Sequence, residues 1–305
     1  MSERKKVLVL GATGMLGHKL VQKLSDRFDV CGTVRGDTVE YRKYPALADK
    51  RLLPGVVAED GGSLARALDA VRPDVAINCI GIVKQLKEAK DPLVAIRVNA
   101  LLPHQLAKLC GERGVRLIHF STDCVFSGQE GNYAEEDFAD ANDQYGRTKL
   151  LGEVTASGCL TLRTSIVGRE LDRGLGLIAW FLSQRGGHVK GFARALYSGM
   201  TTNAMADIVG DLISNFPELS GLWHVSSDPI SKYELLKMIN HVYNLGVTIE
   251  RDEEFFCDRR LDSSRFRARI GFCPQSWDHM IADMRDDPTP YDRSSSPHAI
   301  KQSND

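Results

Sequence analysis

The sequence lacks an excess of charge of either sign. Its 305 residues include 39 Lys and Arg against 40 Asp and Glu, which gives a formal net charge of −1. A chain so close to neutral has no general electrostatic attraction for nucleic acid or for an anionic membrane surface. We therefore expect no nucleic-acid partner and no membrane partner, and a small-molecule ligand is favoured.

The sequence also lacks a long apolar run. No stretch approaches the roughly 20 apolar residues that span a bilayer. The first apolar run, Val7–Leu10, ends at Gly11, and it is too short for the apolar core of a secretory signal. The run predicts a β-strand instead, and we expect a cytoplasmic protein.

Closely spaced cysteine pairs are absent as well. The chain has seven cysteines, an odd number, and none of them forms a C-x-x-C pair. Such pairs are typical of zinc sites, and an even set in a small secreted chain is typical of a disulfide framework. We therefore predict reduced thiols and no metal site. The cysteines are Cys31, Cys79, Cys110, Cys124, Cys159, Cys257 and Cys273.

The first half of the chain alternates short apolar runs with stretches in which apolar residues recur every three or four positions. This alternation of strands and helices predicts a parallel sheet, and near-continuous apolar strands indicate a sheet covered on both faces. We therefore predict an α/β fold with a doubly wound parallel sheet in residues 1–165. The predicted strands are Val7–Leu10, Val30–Val34, Val56–Ala58, Val75–Cys79, Arg116–Phe120 and Thr161–Val167. The predicted helices are Gly17–Asp26, Ser63–Val71, Leu93–Arg113 and Tyr145–Val154.

The second half is predicted to build a smaller α+β lobe. A helical pattern followed by a strand pattern indicates that residues 203–226 return to the first sheet. The segments 166–202 and 227–285 are assigned to the lobe, which is expected to bind substrate. Residues 286–305, rich in Ser, Pro and Asp, predict a flexible tail.

Three glycines follow the first predicted strand at G-x-x-G-x-x-G spacing. Gly11 permits a tight turn, Gly14 lets the backbone approach a pyrophosphate, and Gly17 allows the helix to pack closely on the sheet. This context predicts a Rossmann-like dinucleotide site, although a helix start with tolerated glycines is the alternative. The expected cofactor contacts of the loop are Gly11, Thr13, Gly14, Met15, Leu16 and Gly17.

Arg35 follows the second strand, where NAD-binding Rossmann proteins usually place an acidic residue. A guanidinium group can pair with the 2′-phosphate of NADP(H). NADP(H) is therefore the preferred cofactor and NAD(H) the alternative, while a solvated surface arginine is the competing interpretation of Arg35. Asp60, expected to close the third strand, is assigned to the adenine edge or to a turn.

A second motif places Tyr145 and Lys149 four residues apart on one predicted helix, downstream of Ser121-Thr122-Asp123. A phenol with a pKa near 10 is a poor proton carrier at neutral pH, and a nearby ammonium group stabilises its phenolate. Thr122 can hydrogen-bond the carbonyl oxygen that Tyr145 protonates. A surface contact between Tyr145 and Lys149 is the alternative, which the glycine loop makes less favoured.

With both motifs, the sequence resembles the extended short-chain dehydrogenase/reductases, and more narrowly the dTDP-4-dehydrorhamnose reductase group. The resemblance runs from residue 7 to about residue 285. The strings that carry it are Phe120-Ser121-Thr122-Asp123-Cys124-Val125-Phe126-Ser127-Gly128, Tyr145-Gly146-Arg147-Thr148-Lys149-Leu150-Leu151-Gly152-Glu153, Leu162-Arg163-Thr164-Ser165 and Leu261-Asp262-Ser263-Ser264.

This resemblance implies a catalytic triad of Thr122, Tyr145 and Lys149, with Tyr145 as the proton donor and Lys149 holding the nicotinamide ribose. It also implies that the loop of Cys79, Ile80 and Gly81 contacts the cofactor. The family commonly has tyrosine at the position of Cys124. The implied substrate residues are Lys84, Asp123, Cys124, Val125, Trp180, Phe192, Thr202 and Arg260. Core packing is the favoured role of Trp180 and Phe192, while a packing residue is the alternative for Cys124 and a surface lysine for Lys84.

The expected function is NADP(H)-dependent reduction of the 4-keto group of a dTDP- or UDP-linked deoxysugar, in cell-surface sugar or deoxysugar biosynthesis. Two alternatives stay open. One is a nucleotide-sugar epimerase or dehydratase, although a dehydratase usually has an extra acidic pair and this chain offers only Asp123. The other is a non-catalytic NADP-binding regulatory subunit. The sequence leaves open whether the chain forms a homodimer.

Overall fold

A computed structural model describes residues 3–84, 86–172 and 174–291. Its strands are β1 (Lys6–Leu10), β2 (Asp29–Thr33), β3 (Arg51–Leu53), β4 (Val75–Asn78), β5 (Arg116–Thr122), β6 (Cys159–Thr164), β7 (Ile166–Val167), β8 (His188–Tyr197), β9 (Met200–Thr201), β10 (Gly221–His224), β11 (Ile230–Ser231) and β12 (Thr248–Asp258). Seven of them form one parallel sheet in the order β10-β6-β5-β4-β1-β2-β3. The predicted doubly wound α/β fold is confirmed.

The helices are α1 (Met15–Leu24), α2 (Thr38–Tyr41), α3 (Gly61–Val71), α4 (Pro92–Ala95), α5 (Leu102–Gly111), α6 (Gln144–Leu151), α7 (Leu177–Ser183), α8 (Thr202–Asn215), α9 (Lys232–Val242), α10 (Ser264–Ile270) and α11 (Trp277–Asp286). Successive side chains of β1 point to opposite faces of the sheet. Val7 and Val9 join the apolar cluster under α1 and α8, whereas Leu8 and Leu10 join the cluster under α3 and α5. Both faces of the sheet are therefore covered.

The third strand lies earlier in the chain than predicted. It spans Arg51–Leu53 and pairs with Cys31, Gly32 and Thr33 of β2, so the predicted strand Val56–Ala58 is wrong. Val56 and Ala58 are nevertheless buried in the cluster under α3. Their apolar side chains reflect core packing outside a strand, which a short apolar run cannot distinguish.

The predicted helix Leu93–Arg113 is interrupted by a π-helical turn, Ile96–Leu101, between α4 and α5. Pro103 has no backbone N–H and cannot donate to the carbonyl of Asn99 four residues earlier. Gly152 packs on that same carbonyl so closely that a Cβ atom at Gly152 would lie 1.9 Å from the Asn99 oxygen. The turn therefore brings the start of α5 against the end of α6.

A second sheet, in the order β11-β8-β12, lies in the C-terminal part of the chain, and β7 pairs with β9. Strand β10 returns to the main sheet beside β6. Ser231 caps α9, because its hydroxyl accepts from the N–H of Glu234 at 3.1 Å. No helix within the described ranges is both long enough and apolar enough to cross a membrane.

The segment after α11 contradicts the predicted flexible tail as far as residue 291. Asp287 forms an ion pair with Lys19 of α1 at 2.6 Å, and the Tyr291 hydroxyl lies 3.0 Å from Nε2 of His18. Polar contacts and the packing of Tyr291 against the larger apolar cluster thus hold this segment against α1. The rest of the predicted tail, 292–305, lies outside the described residues.

Candidate active site

The glycine loop has the geometry of a phosphate cradle at the end of β1. Gly11 adopts φ = 82°, a left-handed conformation that favours glycine. A Cβ atom at Gly17 would lie 2.1 Å from the Gly11 carbonyl oxygen, so α1 packs against the loop only because position 17 has no side chain. These two glycines have steric roles in the fold.

The N-terminus of α1 follows this loop directly. Gly14 is its N-cap residue and provides no side-chain cap, so the first N–H groups of the helix lack intrahelical acceptors. Thr13 is exposed and Met15 half-buried, whereas the Leu16 side chain belongs to the core. The loop therefore offers backbone N–H groups to a pyrophosphate, which is the arrangement that binds anions in dinucleotide folds.

A second loop after β4 closes the cradle from the side. A Cβ atom at Gly11 would meet Cγ1 of Ile80 at 3.0 Å, and the Ile80 N–H donates to Oδ1 of Asn78 at 3.1 Å. Cys79 and Ile80 are half-buried and Gly81 is exposed. The three predicted cofactor residues of this loop therefore lie beside the glycine loop.

Asn99 connects this second loop to α6, and sequence analysis missed it. Its amide accepts from the N–H of Ile82 and donates to the Ile82 carbonyl, both at 2.9 Å. It also donates to the Thr148 hydroxyl at 3.3 Å. The available signal was an asparagine among the apolar residues of a predicted helix, with a proline four residues later.

Thr122, Tyr145 and Lys149 are brought together at the carboxyl end of β5. Thr122 ends β5, and α6 carries Tyr145 and Lys149 one turn apart. The approach is close because a Cβ atom at Gly146 would lie 2.2 Å from the Cys124 carbonyl oxygen. Gly146 therefore lets α6 bring Tyr145 onto the loop that follows Thr122.

Burial shifts the pKa values of Tyr145 and Lys149. It raises the pKa of Tyr145, and a hydrogen bond with the Thr122 side chain only partly opposes that effect. Burial also lowers the pKa of Lys149 to about 8, although the negative charge of Glu153 opposes this shift. The Lys149 ammonium donates to the Phe120 carbonyl at 2.6 Å. Tyr145 is accordingly a neutral phenol with a proton to donate.

Lys84 and Asp143 form an ion pair beside Tyr145. Their charged atoms lie 2.7 Å apart, and the Lys84 ammonium is 5.9 Å from the centroid of the Tyr145 ring. Burial would raise the pKa of Asp143, but the hydrogen bonds from Lys84 and from the Gly146 N–H outweigh it and lower the pKa. Lys84 is thus near the catalytic group, with its charge balanced by Asp143.

The turn Asp123–Val125 follows Thr122 directly. Thr122 donates to the Asp123 carboxylate and accepts from the Cys124 N–H, both at 3.1 Å. Burial raises the pKa of Asp123, against the nearby positive charge of Arg259. Val125 is fully buried in a small apolar cluster, so its side chain is closed to a ligand. The expectation that Val125 contacts substrate is therefore not supported.

Two predicted cofactor residues occupy the outer edge of the sheet. The Arg35 side chain is 63% exposed, and its guanidinium lies 4.0 Å from Oε1 of Glu59. Asp60 does not end a strand, since its side chain caps α3 by accepting from the Gly62 N–H at 2.8 Å. Its other oxygen lies 3.4 Å from Arg66. Arg35 is therefore exposed and only loosely paired with Glu59, whereas the Asp60 carboxylate has a structural role.

For three of the substrate residues predicted in the lobe, the structure shows what each of them contacts. Thr202 is buried at the start of α8 against Gly168, which closes it to a ligand. Phe192 packs on Phe255 with ring centroids 4.8 Å apart. Trp180 is half-buried on α7, next to the larger apolar cluster. Thr202 and Trp180 therefore take part in packing, whereas the contact of Phe192 with Phe255 lies near the surface, since Phe255 is exposed.

The guanidinium group of Arg260 is already bound within the protein. Its guanidinium binds the buried carboxylate of Asp258 through contacts of 2.6, 2.8 and 2.9 Å. Its neighbour Arg259, which sequence analysis passed over, instead reaches Cys124 beside the catalytic turn. Within the described ranges, no group of three or more His, Cys, Asp and Glu side chains is arranged to hold a metal ion.

Comparison with known proteins agrees with this geometry. The chain matches the family described as RmlD substrate binding domain over residues 5–287. A dTDP-4-dehydrorhamnose reductase of Streptomyces griseus is 33% identical over 151 residues, which cover 49% of this chain and 44% of that protein. Methionine adenosyltransferase 2 subunit beta of Pongo abelii is 30% identical over 176 residues, 55% of this chain and 49% of that protein. The chain thus spans about half the length of these curated relatives.

Similarity in structure extends further along the chain. The crystal structure of a hypothetical dTDP-4-dehydrorhamnose reductase from Sulfolobus tokodaii has a TM-score of 0.74 and 26% identity, covering 90% of this chain and 98% of that one. The shared architecture therefore includes both the main sheet and the C-terminal part. Since the family match also covers nearly all residues, the chain belongs to the RmlD substrate binding domain family, among the extended short-chain dehydrogenase/reductases.

Proposed function

We propose that this protein is an NADP(H)-dependent reductase of the 4-keto group of a nucleotide-activated deoxysugar. The observation that carries the proposal is the group of Thr122, Tyr145 and Lys149 at the carboxyl end of β5, beside the glycine loop. A neutral phenol next to a second hydroxyl group and a buried ammonium group suits proton donation to a carbonyl oxygen.

The cradle fits a dinucleotide, because a side chain at Gly11 or Gly17 would fill the space that the backbone uses. The N-terminus of α1 would hold the pyrophosphate, the loop at Cys79–Gly81 would flank the nicotinamide, and Arg35 would meet a 2′-phosphate. A bound nicotinamide cofactor supplies the hydride. NADP(H) is preferred because Arg35 stands where an acidic residue would favour NAD(H).

The chain's own residues supply the proton and the orientation. Tyr145 donates its hydroxyl proton to the oxygen of the reacting carbonyl, and Thr122 hydrogen-bonds the same oxygen. With a pKa of about 8, the Lys149 side chain is mostly charged at neutral pH. Its charge stabilises the Tyr145 phenolate left by proton donation, and its remaining N–H groups would hold the ribose of the bound cofactor.

The substrate class is supported by relatives that carry the name dTDP-4-dehydrorhamnose reductase. A dTDP- or UDP-linked 4-keto-6-deoxyhexose is the proposed substrate, in a cytoplasmic step of cell-surface sugar or deoxysugar synthesis. The test is a panel of dTDP-, UDP- and GDP-linked 4-keto-6-deoxysugars, with NADPH oxidation as the readout. Turnover of a dTDP- or UDP-linked sugar is expected, and turnover of none contradicts the proposal.

A regulatory subunit without turnover is the second candidate, and the similarity to methionine adenosyltransferase 2 subunit beta favours it. The same panel separates the two functions. A chain that binds NADPH tightly, reduces no keto sugar and retains a partner enzyme in a pull-down would be a regulatory subunit. The complete Thr122, Tyr145 and Lys149 group favours the reductase.

A further inference from the structure

A buried ion pair lies next to the catalytic group, and the proposed mechanism gives it no role. The Arg163 guanidinium on β6 binds both oxygens of the Glu153 carboxylate, Nε to Oε1 at 2.7 Å and Nη2 to Oε2 at 2.8 Å. The two side chains are only 5% and 9% exposed. Such a pair is not a general source of stability, because the loss of hydration offsets the attraction between the charges. Stability alone therefore does not account for two charges at this place.

The ion pair approaches Lys149 at two consecutive residues of β5. The Ser121 hydroxyl donates to Oε1 of Glu153 at 2.6 Å, and the Phe120 carbonyl accepts from the Lys149 ammonium at 2.6 Å. Along the chain, Glu153 follows Lys149 by four residues and lies just beyond the end of α6. The carboxylate and the ammonium are therefore held at neighbouring positions of the same strand.

The charge of Glu153 counters the effect of burial on Lys149. Burial lowers the pKa of Lys149 to about 8, and the negative charge of Glu153 opposes this shift, because a buried ammonium needs a nearby opposite charge to stay protonated. Arg163 weakens this effect, since its guanidinium shares the same carboxylate. On its other side Arg163 faces His224, which is neutral because burial lowers its pKa to about 3.

The other titratable groups around Lys149 do not supply this negative charge. On α6 and the elements packed against it, these groups are Tyr145, Arg97, His104, His119, Asp123 and Cys124. Burial keeps Tyr145 and Cys124 protonated by raising their pKa values, and it keeps His119 neutral by lowering its pKa. Arg97 and His104 are exposed, so salt and solvent screen their charges. Asp123 lies in the turn after β5, where it faces the positive charge of Arg259.

We propose that Glu153 is a positioning residue that keeps Lys149 charged, and that Arg163 limits its effect. The inference rests on the proposed reductase, in which the charge of Lys149 stabilises the Tyr145 phenolate. A purely structural ion pair, which only joins the end of α6 to β6, would leave the charge of Lys149 unaffected.

Substitutions in the full chain separate these two roles. Glu153→Gln removes the negative charge and keeps the shape of the side chain, but it leaves Arg163 buried without a partner, which is strongly destabilising. The double variant Glu153→Gln/Arg163→Met therefore removes both charges. Arg163→Lys disturbs the paired contact and keeps both charges. Glu112→Gln is the matched control, since Glu112 is 52% exposed and pairs with Arg113.

The first measurement is an NMR pH titration of the full chain labelled with carbon-13 at Cε of lysine. The Lys149 signal is the one that is absent from Lys149→Met. In the wild type it should titrate near pH 8, well below the ordinary lysine value of about 10.4. In Glu153→Gln and in the double variant, Lys149 should bind its proton about tenfold less tightly, because a nearby opposite charge is lost. Arg163→Lys and Glu112→Gln should titrate as the wild type does.

The second measurement is the pH profile of keto-sugar reduction by NADPH. Turnover needs a charged Lys149, so it should fall as the pH rises through the pKa of Lys149. In Glu153→Gln the fall should begin about one pH unit lower than in the wild type. A purely structural defect would instead lower turnover by the same factor at every pH.

An unchanged Lys149 titration in Glu153→Gln and in the double variant overturns the proposal, and the double variant decides if Glu153→Gln does not fold. A wild-type Lys149 that titrates with the other lysines near the ordinary value of about 10.4 overturns it as well. So does an equal shift in Arg163→Lys or Glu112→Gln, because both keep the charge of Glu153.

The titration does not need turnover, so the two proposals can fail separately. A shifted titration in a chain that reduces no keto sugar refutes the reductase and keeps the effect of Glu153 on Lys149. Reduction of a keto sugar with an unshifted titration keeps the reductase and removes this role of Glu153.

Discussion

At the scale of single residues, the proposed chemistry depends on the proton of one phenol. Burial raises the pKa of Tyr145, so the side chain is protonated throughout the neutral range. We expect Tyr145→Phe to lower kcat by about 10²–10⁴, the usual contribution of a positioned general acid. NADPH affinity should be unchanged, because the ring remains in place.

Single-turnover reduction of the best keto sugar, followed beside an NADPH fluorescence titration, checks this expectation. Tyr133→Phe is a control for the loss of a tyrosine hydroxyl, since the Tyr133 hydroxyl accepts from the Gly128 and Glu130 N–H groups of the protein itself. A Tyr145→Phe protein with wild-type turnover would remove Tyr145 from the mechanism.

A second residue, Arg35, is expected to set the cofactor preference. Its guanidinium is 63% exposed, so solvent weakens its pairing with a 2′-phosphate. We expect NADPH to bind about tenfold more tightly than NADH, at the lower end of the range for a charge-assisted hydrogen bond, and Arg35→Ala to abolish the difference. Titration of NADPH and NADH against the wild type and Arg35→Ala measures this preference, with Arg27→Ala as the control. Equal affinities of the wild type for the two cofactors would refute the role of Arg35.

The different contacts of the neighbouring residues Arg259 and Arg260 could not be predicted from the sequence. Arg259 and Arg260 have the same chemistry, and the family-like string Leu261-Asp262-Ser263-Ser264 pointed to Arg260. Their directions depend on a register shift in the pairing of β12 with β8, between Asp252 and Phe256. They also depend on the capture of Arg260 by Asp258. The register shift depends on the pairing of two strands distant in sequence, which no local pattern encodes.

At the scale of elements, the glycine loop and α1 were predictable because local rules determine them. A buried strand, a turn with positive φ at Gly11 and a helix with Gly17 in its first turn follow from sequence. The position of β3 was not predictable from the sequence, because Arg51–Leu53 is recognisable as a strand only by its pairing with β2. The π-helical turn was missed because its cause combines Pro103 with a contact from Gly152.

The packing of α1 on its loop gives a prediction at this scale. In Gly17→Ala the new Cβ atom would lie 2.1 Å from the Gly11 carbonyl oxygen, so the loop or the helix must shift. We expect a loss of about 1–3 kcal/mol in the free energy of unfolding, as for overpacking, and a loss of NADPH binding of more than about tenfold.

Gly61→Ala is the matched control, since position 61 begins α3 and a Cβ atom there meets nothing within 4 Å. Alanine has the higher helix propensity, so Gly61→Ala should be neutral or stabilised by less than about 1 kcal/mol. Urea unfolding and NADPH titration of both variants make the comparison. Equal behaviour of Gly17→Ala and Gly61→Ala would show that the close contact at Gly17 is unimportant.

At the scale of the whole molecule, the segment after α11 links the end of the described chain to its beginning. Asp287 binds Lys19 of α1 at 2.6 Å and Asn203 of α8 at 2.9 Å. Thr289 contacts Lys19 and Gln22. His18 connects the segment to the cofactor loop, because its Nδ1 lies 2.9 Å from the Gly14 carbonyl. The stability of the whole chain and the shape of the phosphate cradle are therefore coupled.

Asp287→Asn tests this connection. The Lys19 and Asp287 side chains are 2% and 8% exposed, and removal of one partner of a buried ion pair typically costs about 3–5 kcal/mol. Asparagine keeps one acceptor for Lys19, so we expect the free energy of unfolding to fall by about 3 kcal/mol. Urea unfolding at pH 7 measures this loss. Asp286→Asn is the control: its pair with Arg285 is exposed, and the expected change is below about 1 kcal/mol.

The difference in the free energy of unfolding between wild type and Asp287→Asn should depend on pH, and this dependence provides an independent test of the same ion pair. Burial would raise the pKa of Asp287, but hydrogen bonds from Lys19 and Thr289 outweigh it and lower the pKa from 3.8 to about 2. The stabilisation is therefore complete above about pH 4 and is lost as the pH falls toward 2. Unfolding of wild type and Asp287→Asn at pH 7 and pH 3 should show a smaller difference at pH 3. A difference that is the same at both pH values would mean that the Asp287 carboxylate contributes packing and hydrogen bonds but no charge to the stability of the chain.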